Sequence, residues 1–141
     1  MTTVRWRIHL ASPPEDVHRL LSTAEGRARF WAESAEERDG AIEFLFPDGE
    51  RWRGKLLANE PPHVFELRYV GGTRARFALD PDGAGGTDVT LTDDGVPDEW
   101  EAEVRAGWVS VLLALKAAAD FGADVRNHDP RRSWAQGYAD N

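Results

Sequence analysis

The side chains that most often carry out chemistry are present in this chain, but their spacing forms no catalytic or metal-binding motif. The four histidines, His9, His18, His63 and His128, never stand two or four positions apart, the spacing that brings two imidazoles to one metal ion. The chain has no cysteine, which excludes thiol nucleophiles, cysteine metal ligands and disulfides. We therefore predict no catalytic residue, no metal site and no cofactor.

Two further patterns could suggest a site but have simpler interpretations. The Gly-rich segment 83–87 leads into a predicted strand, whereas a phosphate-binding loop leads into the N-terminus of a helix. Acidic residues cluster at 33–37 and 99–103, and Glu99 and Glu103 share one face of a predicted helix. Without burial to separate their pKa values, these carboxylates do not form an acid–base pair. We interpret the first segment as a hairpin loop and the acidic clusters as solvated surface.

Composition and net charge limit the classes of molecule that this chain is expected to bind. The 141 residues are typical of one domain, and the net charge is −8, from 25 acidic and 17 basic residues. Such a surface repels phosphate backbones, so we predict no nucleic-acid partner. No secretory signal and no apolar run long enough to span a bilayer is found, and the lack of cysteine fits a reducing compartment. These features predict a cytoplasmic protein without membrane insertion, and the abundance of Arg, Ala and Gly is typical of a GC-rich bacterial genome.

The elements that must position any site are mostly strands. Apolar and polar residues alternate over 4–10, 33–38, 41–46, 50–59, 64–70, 73–80 and 87–92, with Gly- or Pro-containing turns between them. One buried and one solvated face predict an antiparallel sheet, and we expect outward arginines, among them Arg53, Arg74 and Arg76, to pair with Glu43 and Glu66. After the first strand, Ser12-Pro13-Pro14-Glu15 predicts a capping box at the start of one short helix, and Thr23 is predicted to cap a second that ends at Phe30-Trp31.

A long helix is predicted from about residue 97 to residue 121. Its apolar stripe consists of Trp100, Val104, Trp108, Val111, Leu115 and Ala118. Gly107 is costly inside a helix, so we expect a strand or an aromatic ring to approach it closely. The segment 123–141 contains Val125, Trp134 and Tyr138, too many large apolar groups for a loose tail. We predict a domain over 1–122 and a tail, 123–141, that folds back on it.

The order of elements resembles the SRPBCC or START-like superfamily, the helix-grip fold of birch-pollen-allergen-type proteins. Within it the chain resembles the bacterial AHSA-type branch, named after the activator of the heat-shock-protein-ninety ATPase. The resemblance is carried by Ala11–Val17, Phe30-Trp31, Gly40 before Phe44-x-Phe46, Pro61-Pro62, Gly86-Thr87-x-Val89-x-Leu91 and Gly107-Trp108-x-x-x-Leu112-x-x-Leu115-Lys116. It implies an α+β fold in the order β-α-α-β6-α: a curved antiparallel sheet of about seven strands wrapped around the last helix, with a cavity between them.

Members of this superfamily bind or process hydrophobic small molecules such as lipids, polyketides, plant hormones and antibiotics. We therefore predict that the chain binds a hydrophobic or aromatic small molecule between sheet and helix, although the same aromatic residues could instead fill a solid core. The predicted lining residues are Trp31, Phe44, Phe46, Trp52, Phe65, Tyr69, Phe77, Trp100, Val104, Trp108 and Val111. Pockets of this kind are mostly apolar with a few placed polar groups, and Tyr69 and the indole N–H groups are the candidates.

Three alternatives stay open at this point. An aromatase/cyclase-like or hydrolase-like enzyme could use the same pocket, but the inward positions offer few polar groups beyond Tyr69, which favours a non-enzymatic binding protein. A stress-response or antibiotic-sequestering role is a second alternative within the family. A homodimeric interaction module is the third, with contacts through Val109, Leu113 and Ala117. We expect a monomer or a weak homodimer.

Overall fold

Seven strands and three helices make up the computed structural model, which describes all 141 residues. In chain order they are β1 (Thr2–Leu10), α1 (Pro14–Ser22), α2 (Ala24–Ala28), β2 (Ser34–Arg38), β3 (Ala41–Leu45), β4 (Arg51–Glu60), β5 (Val64–Tyr69), β6 (Thr73–Pro81), β7 (Thr87–Val96) and α3 (Glu101–Phe121). The strands form one antiparallel sheet in the order β1-β7-β6-β5-β4-β3-β2. The predicted helix-grip architecture is confirmed, with α3 lying across the inner face of the sheet.

Alternation along the strands separates a buried face from a solvated one. On β7, Val89 and Leu91 are fully buried, while the alternating residues Asp88, Thr90 and Thr92 are partly exposed. The outer face carries ion pairs, as predicted: Glu66 on β5 accepts hydrogen bonds from Arg74 at 2.9 Å and Arg76 at 3.1 Å. The inner face is therefore available to pack against α3.

The C-terminal end of α3 is tied to the turn after β1. The Asp120 carboxylate accepts hydrogen bonds from the backbone N–H groups of Ala11 and Ser12, at 2.9 and 3.0 Å. The Ser12 hydroxyl donates to the Ala119 carbonyl at 2.8 Å. The predicted capping role of Ser12 is therefore wrong: Pro13 precedes α1 and no side chain caps that helix. The last carbonyls of α3 have no partner within the helix, and the Ser12 hydroxyl donates to one of them instead.

The N-terminal end of α3 also differs from the prediction. A 3-10 turn, Asp98–Trp100, precedes the helix, which begins at Glu101 instead of near residue 97. Trp100 therefore does not continue the inward stripe; it is 46% exposed and its ring lies against Gly71. One turn later, α3 is held to β1 by the Trp6 indole, which donates to the Arg105 carbonyl at 3.0 Å.

Residues 123–141 contain a 3-10 turn, Trp134–Gln136, and are tied to the rest of the chain by Arg126, which donates to the Ala28 and Ala32 carbonyls. The Trp134 ring lies directly over Gly107 of α3, the close aromatic approach that this glycine predicts. None of the helices combines the length and apolarity needed to span a bilayer.

Candidate functional site

A group of aromatic rings fills the space between α3 and the middle of the sheet. We call it the aromatic cluster; its members are Trp31, Phe44, Tyr69, Phe77 and Trp108. The Trp31 ring contacts each of the others, with centroid separations from 5.0 Å to Phe44 to 6.1 Å to Trp108. Separations of this size are those of aromatic rings in direct contact. The cluster is therefore closed on itself in this conformation.

The position of Trp31 depends on a buried arginine in α2. Arg27 is 1% exposed, and its guanidinium donates to the carbonyls of Ala35 at 2.9 Å and Leu21 at 3.0 Å. The Arg27 carbonyl accepts the backbone N–H of Trp31 at 2.8 Å. Burial lowers the pKa of Arg27, but backbone carbonyls satisfy the charge. Arg27 thus fixes the segment that carries Trp31 into the interior.

Two hydrogen bonds link polar groups inside the cluster. The Trp31 indole donates to the Tyr69 hydroxyl at 3.0 Å, and the Trp108 indole donates to Oδ2 of Asp93 on β7 at 2.9 Å. Burial raises the pKa of Tyr69, and the nearby Asp93 carboxyl adds to this effect. The Tyr69 hydroxyl is therefore neutral at physiological pH. The interior therefore holds Asp93 in addition to the predicted polar groups, Tyr69 and the indoles.

Asp93 is the most unusual of these groups. It is 1% exposed, and its Oδ1 and the buried Thr73 hydroxyl lie near each other without completing a hydrogen bond of normal geometry. Burial raises the pKa of Asp93, against a smaller lowering by Thr73 and Trp108. Strand pairing places Asp93 opposite Ala75 on β6. A buried acceptor without a donor costs about 1–3 kcal/mol, so this end of the interior has unused capacity for a hydrogen bond.

Asp93 is not among the predicted lining residues, although its position in β7 carries a signal for burial. Val89 and Leu91 mark the inward positions of β7, and the same period of two continues to Asp93. An aspartate at an inward strand position is uncommon, because burial of its charge is costly. Alternation alone could therefore have identified Asp93.

The remaining predicted lining residues surround the cluster unevenly. Phe46 stacks on Phe44 at 5.8 Å, while Trp52, Val104 and Val111 are half-buried against the core. Phe65 is fully buried beside the cluster, since it pairs with Phe77 across β5 and β6, and its ring meets His18 of α1 edge-on at 6.5 Å. The prediction that Trp100 faces the interior is wrong, because the 3-10 turn before α3 directs it to the surface.

Two surface grooves stand out, and neither opens into the aromatic cluster. A groove of about 360 Å³ is lined by α1 and the β4–β5 turn, at Glu15, His18, Arg19, Ser22, Asn59, Pro61 and Pro62. Another, of about 420 Å³, lies where α1 and α2 meet the C-terminal end of α3. The space between the sheet and α3 is instead occupied by the protein's own side chains.

The sequence of this chain matches the model of one protein family. The model described as Activator of Hsp90 ATPase homolog 1-like protein matches residues 11–120. The chain belongs to this family, AHSA1. No curated protein matches it in sequence.

Solved structures share the AHSA1 fold. The Aha1 dimer from Colwellia psychrerythraea superimposes with a TM-score of 0.77 at 23% identity, covering 86% of this chain and 98% of that one. Protein CV1439 from Chromobacterium violaceum gives a TM-score of 0.68 at 26% identity, covering 85% and 99%. DynU16, from the dynemicin biosynthetic locus, gives 0.75 at 22% identity; 85% of this chain matches 48% of that protein. These likenesses support the AHSA1 fold.

Proposed function

We propose that this AHSA1-family chain binds an apolar or aromatic small molecule between the sheet and α3, and that the molecule carries a hydroxyl or amine donor. The observation that carries the proposal is the unpartnered Oδ1 of Asp93, 1% exposed among aromatic side chains. The ring of an aromatic ligand would replace contacts between rings of the aromatic cluster. The hydroxyl or amine of the ligand would donate a hydrogen bond to Oδ1 of Asp93. Such pockets combine apolar walls with a few polar groups that orient the ligand.

Binding requires the aromatic cluster to open, because its rings already touch one another. The Trp31 and Trp108 rings, 6.1 Å apart, come from opposite walls: Trp31 from the segment after α2 and Trp108 from α3. A ligand that separates these rings would stabilise a conformation that is rare in its absence. The ligand is then selected by how well its own ring replaces the contacts that are lost.

A matched pair of small aromatics tests this proposal. We expect 2-naphthol to shift the NMR signals of the Trp31 and Trp108 indole N–H groups, and to bind about tenfold more tightly than 2-methoxynaphthalene, which lacks the donor. In an Asp93→Leu variant, whose fold is checked by circular dichroism, the preference for the donor should disappear. If neither compound shifts either indole signal at saturating concentration, the proposed site is wrong.

A second candidate is an enzyme that uses the same interior. It is favoured by one observation, the presence of two protonatable groups, Asp93 and Tyr69, whose pKa values are both raised by burial. A buried carboxyl with a raised pKa is suited to act as a general acid. Incubation with a linear poly-β-ketone thioester, followed by mass spectrometry, tests this. Cyclised product from the native chain that is absent with Asp93→Asn would favour the enzyme over the binding protein.

Self-association is a third possibility. The family relative from Colwellia psychrerythraea was solved as a dimer, and on α3 the apolar side chains of Leu113 and Phe121 are 55% and 75% exposed. We propose a weak homodimer through this face of the helix. Light scattering over a concentration series should show association that Leu113→Lys abolishes; a monomer at every concentration would remove the proposal.

A further inference from the structure

We propose that residues 123–141, here called the strap, close the interior by tying α3 to the segment between α2 and β2, and that release of the strap lets these two walls separate. The family match covers residues 11–120, so the strap lies outside the part shared with the family. Three anchors hold it to the body of the molecule.

Arg126 forms the strongest anchor. Its guanidinium donates to the Ala32 carbonyl at 2.9 Å and the Ala28 carbonyl at 2.8 Å, and pairs with Asp124 at 2.9 Å. The Arg126 side chain is only 4% exposed. A buried charged donor that satisfies two carbonyls holds its partners more strongly than a neutral hydrogen bond. The strap is thereby fixed to the segment that carries Trp31.

Trp134 forms the anchor on α3. Its ring covers Gly107 so closely that a Cβ added to this glycine would lie 2.3 Å from the ring. Only glycine allows a ring this near the helix backbone, which explains a residue that is otherwise costly inside a helix. Gly107 directly precedes Trp108 of the aromatic cluster.

His128 forms the third anchor, between Arg126 and Trp134. Its ring nitrogens contact Glu33, just before β2, at 2.5 Å and Asp124 of the strap at 2.7 Å. The hydrogen bond with Glu33, and then that with Asp124, raises the pKa of His128. Within the strap, the Asn127 amide donates to Asp140 at 2.9 Å. This internal contact lets the anchored segment act as one unit.

The anchors lie next to the two indoles that must separate. Ala32 follows Trp31 and Gly107 precedes Trp108. Apart from the strap, one direct hydrogen bond joins the α2–β2 segment to α3, from the Arg29 guanidinium to the Ala118 carbonyl at 3.2 Å. Movement of one wall away from the other therefore requires the strap to leave at least one of them. The strap thus controls access to the aromatic cluster.

Hydrogen exchange in the full-length chain tests the strap without any ligand. In Arg126→Ala, we expect the amides of 123–141 and the indole N–H groups of Trp31 and Trp108 to exchange about tenfold faster or more. Arg131→Ala is the matched control, because Arg131 also lies in the strap but its side chain is 84% exposed and pairs only with Asp129. This control should leave exchange at both indoles unchanged.

Gly107→Ala provides a second way to detach the strap, with a gain in helix propensity. The new methyl group should displace the Trp134 ring and accelerate exchange in the strap and at both indoles as Arg126→Ala does. In a Trp134→Ala background the same substitution should cause no further acceleration, since no ring remains to be displaced. The proposal is overturned if the strap exchanges faster while both indoles keep native protection, or if neither variant releases the strap. Because no ligand is involved, this outcome is independent of whether the naphthol experiment succeeds.

Discussion

Two buried carboxylates fasten α3 to the rest of the molecule, and their surroundings are opposite. Asp120 accepts hydrogen bonds from the backbone N–H groups of Ala11 and Ser12 and from the Lys116 ammonium, at 2.9–3.3 Å. Asp93 accepts one, from the Trp108 indole, and its other oxygen has no partner. Burial alone would raise the pKa of Asp120, but its donors lower it, whereas burial raises the pKa of Asp93.

The difference separates a structural joint from a place with spare binding capacity. A carboxylate surrounded by donors stabilises the fold as an ion. The Asp93 carboxylate, which has a single indole donor, destabilises the folded state by its burial, and a further donor would offset this cost. The contrast predicts that substitutions at the two aspartates will change the free energy of unfolding by different amounts and with opposite pH dependences.

The largest loss of stability is expected at Trp108, which belongs to the aromatic cluster and also donates to Asp93. Trp108→Ala should lower the free energy of unfolding by about 3–5 kcal/mol, because a buried ring is removed from contact with Trp31, Tyr69 and Phe77. Urea denaturation measures this loss. Trp108→Phe is the control: it keeps a ring but removes the donor to Asp93, and should cost clearly less. A loss below about 1 kcal/mol for the alanine variant would show that the ring is not part of the core.

Asp120→Ala should come next, with a loss of about 2 kcal/mol, because it removes an acceptor, 4% exposed, that joins the β1–α1 turn to α3 through three donors. Thermal and urea unfolding measure it. Asp98→Ala is the control, since this carboxylate also accepts a hydrogen bond, from Thr2, but its side chain is 72% exposed. The control should change stability by less than about 0.5 kcal/mol. Equal losses for the two variants would mean that burial of the Asp120 carboxylate and its additional donors add nothing to stability.

Asp93→Asn should change stability by less than about 1 kcal/mol, and in either direction, because it removes a poorly satisfied buried charge while keeping an acceptor for Trp108. The amide NH₂ can also donate toward the unpartnered Thr73 hydroxyl. The same unfolding measurements apply. A loss as large as that of Asp120→Ala would break the comparison, since it would make Asp93 an equally strong structural joint.

The smallest effects are expected in the pH dependence, and there the two sites should have opposite signs. Because the folded-state pKa of Asp120 lies below its ordinary value of 3.8, its stabilisation is present above that pH and is lost as the pH falls through the folded pKa. The folded-state pKa of Asp93 is raised, so its ionisation penalises folding at neutral pH and the penalty disappears as the pH falls toward 3.8. Stability differences between native chain and asparagine variants, followed from neutral to acidic pH, should therefore move in opposite directions.

Much of the fold was predictable because it depends on local patterns. Alternation over each strand and Gly-containing turns between strands identified the sheet, and the apolar stripe of α3 identified its inward face. The errors concern side chains with a choice of partner. Ser12 reads as a capping residue in the sequence, but α3 brings the Ala119 carbonyl to its hydroxyl. Trp100 fits the helical period, yet a 3-10 turn changes its direction.

The candidate site was predictable only in part. The aromatic residues were found because ring size and inward position suffice to predict burial. Arg27 and Arg126 were not found, since an arginine in a polar stretch reads as a surface charge, and their main partners are backbone carbonyls that any sequence supplies. Nothing in the residue types themselves indicates that a guanidinium will be enclosed.

The sequence by itself determined which faces of the strands and of α3 are apolar, and hence the family and the helix-grip architecture, because periodicity follows directly from backbone geometry. Only the tertiary structure decided that the rings of the interior touch, that Asp93 keeps a free oxygen, and that the last residues cross from α3 to the α2–β2 segment. These features join residues far apart in the chain, such as Arg126 with Ala32 and Trp134 with Gly107. Contacts of this kind depend on how whole elements are placed, which no local pattern specifies.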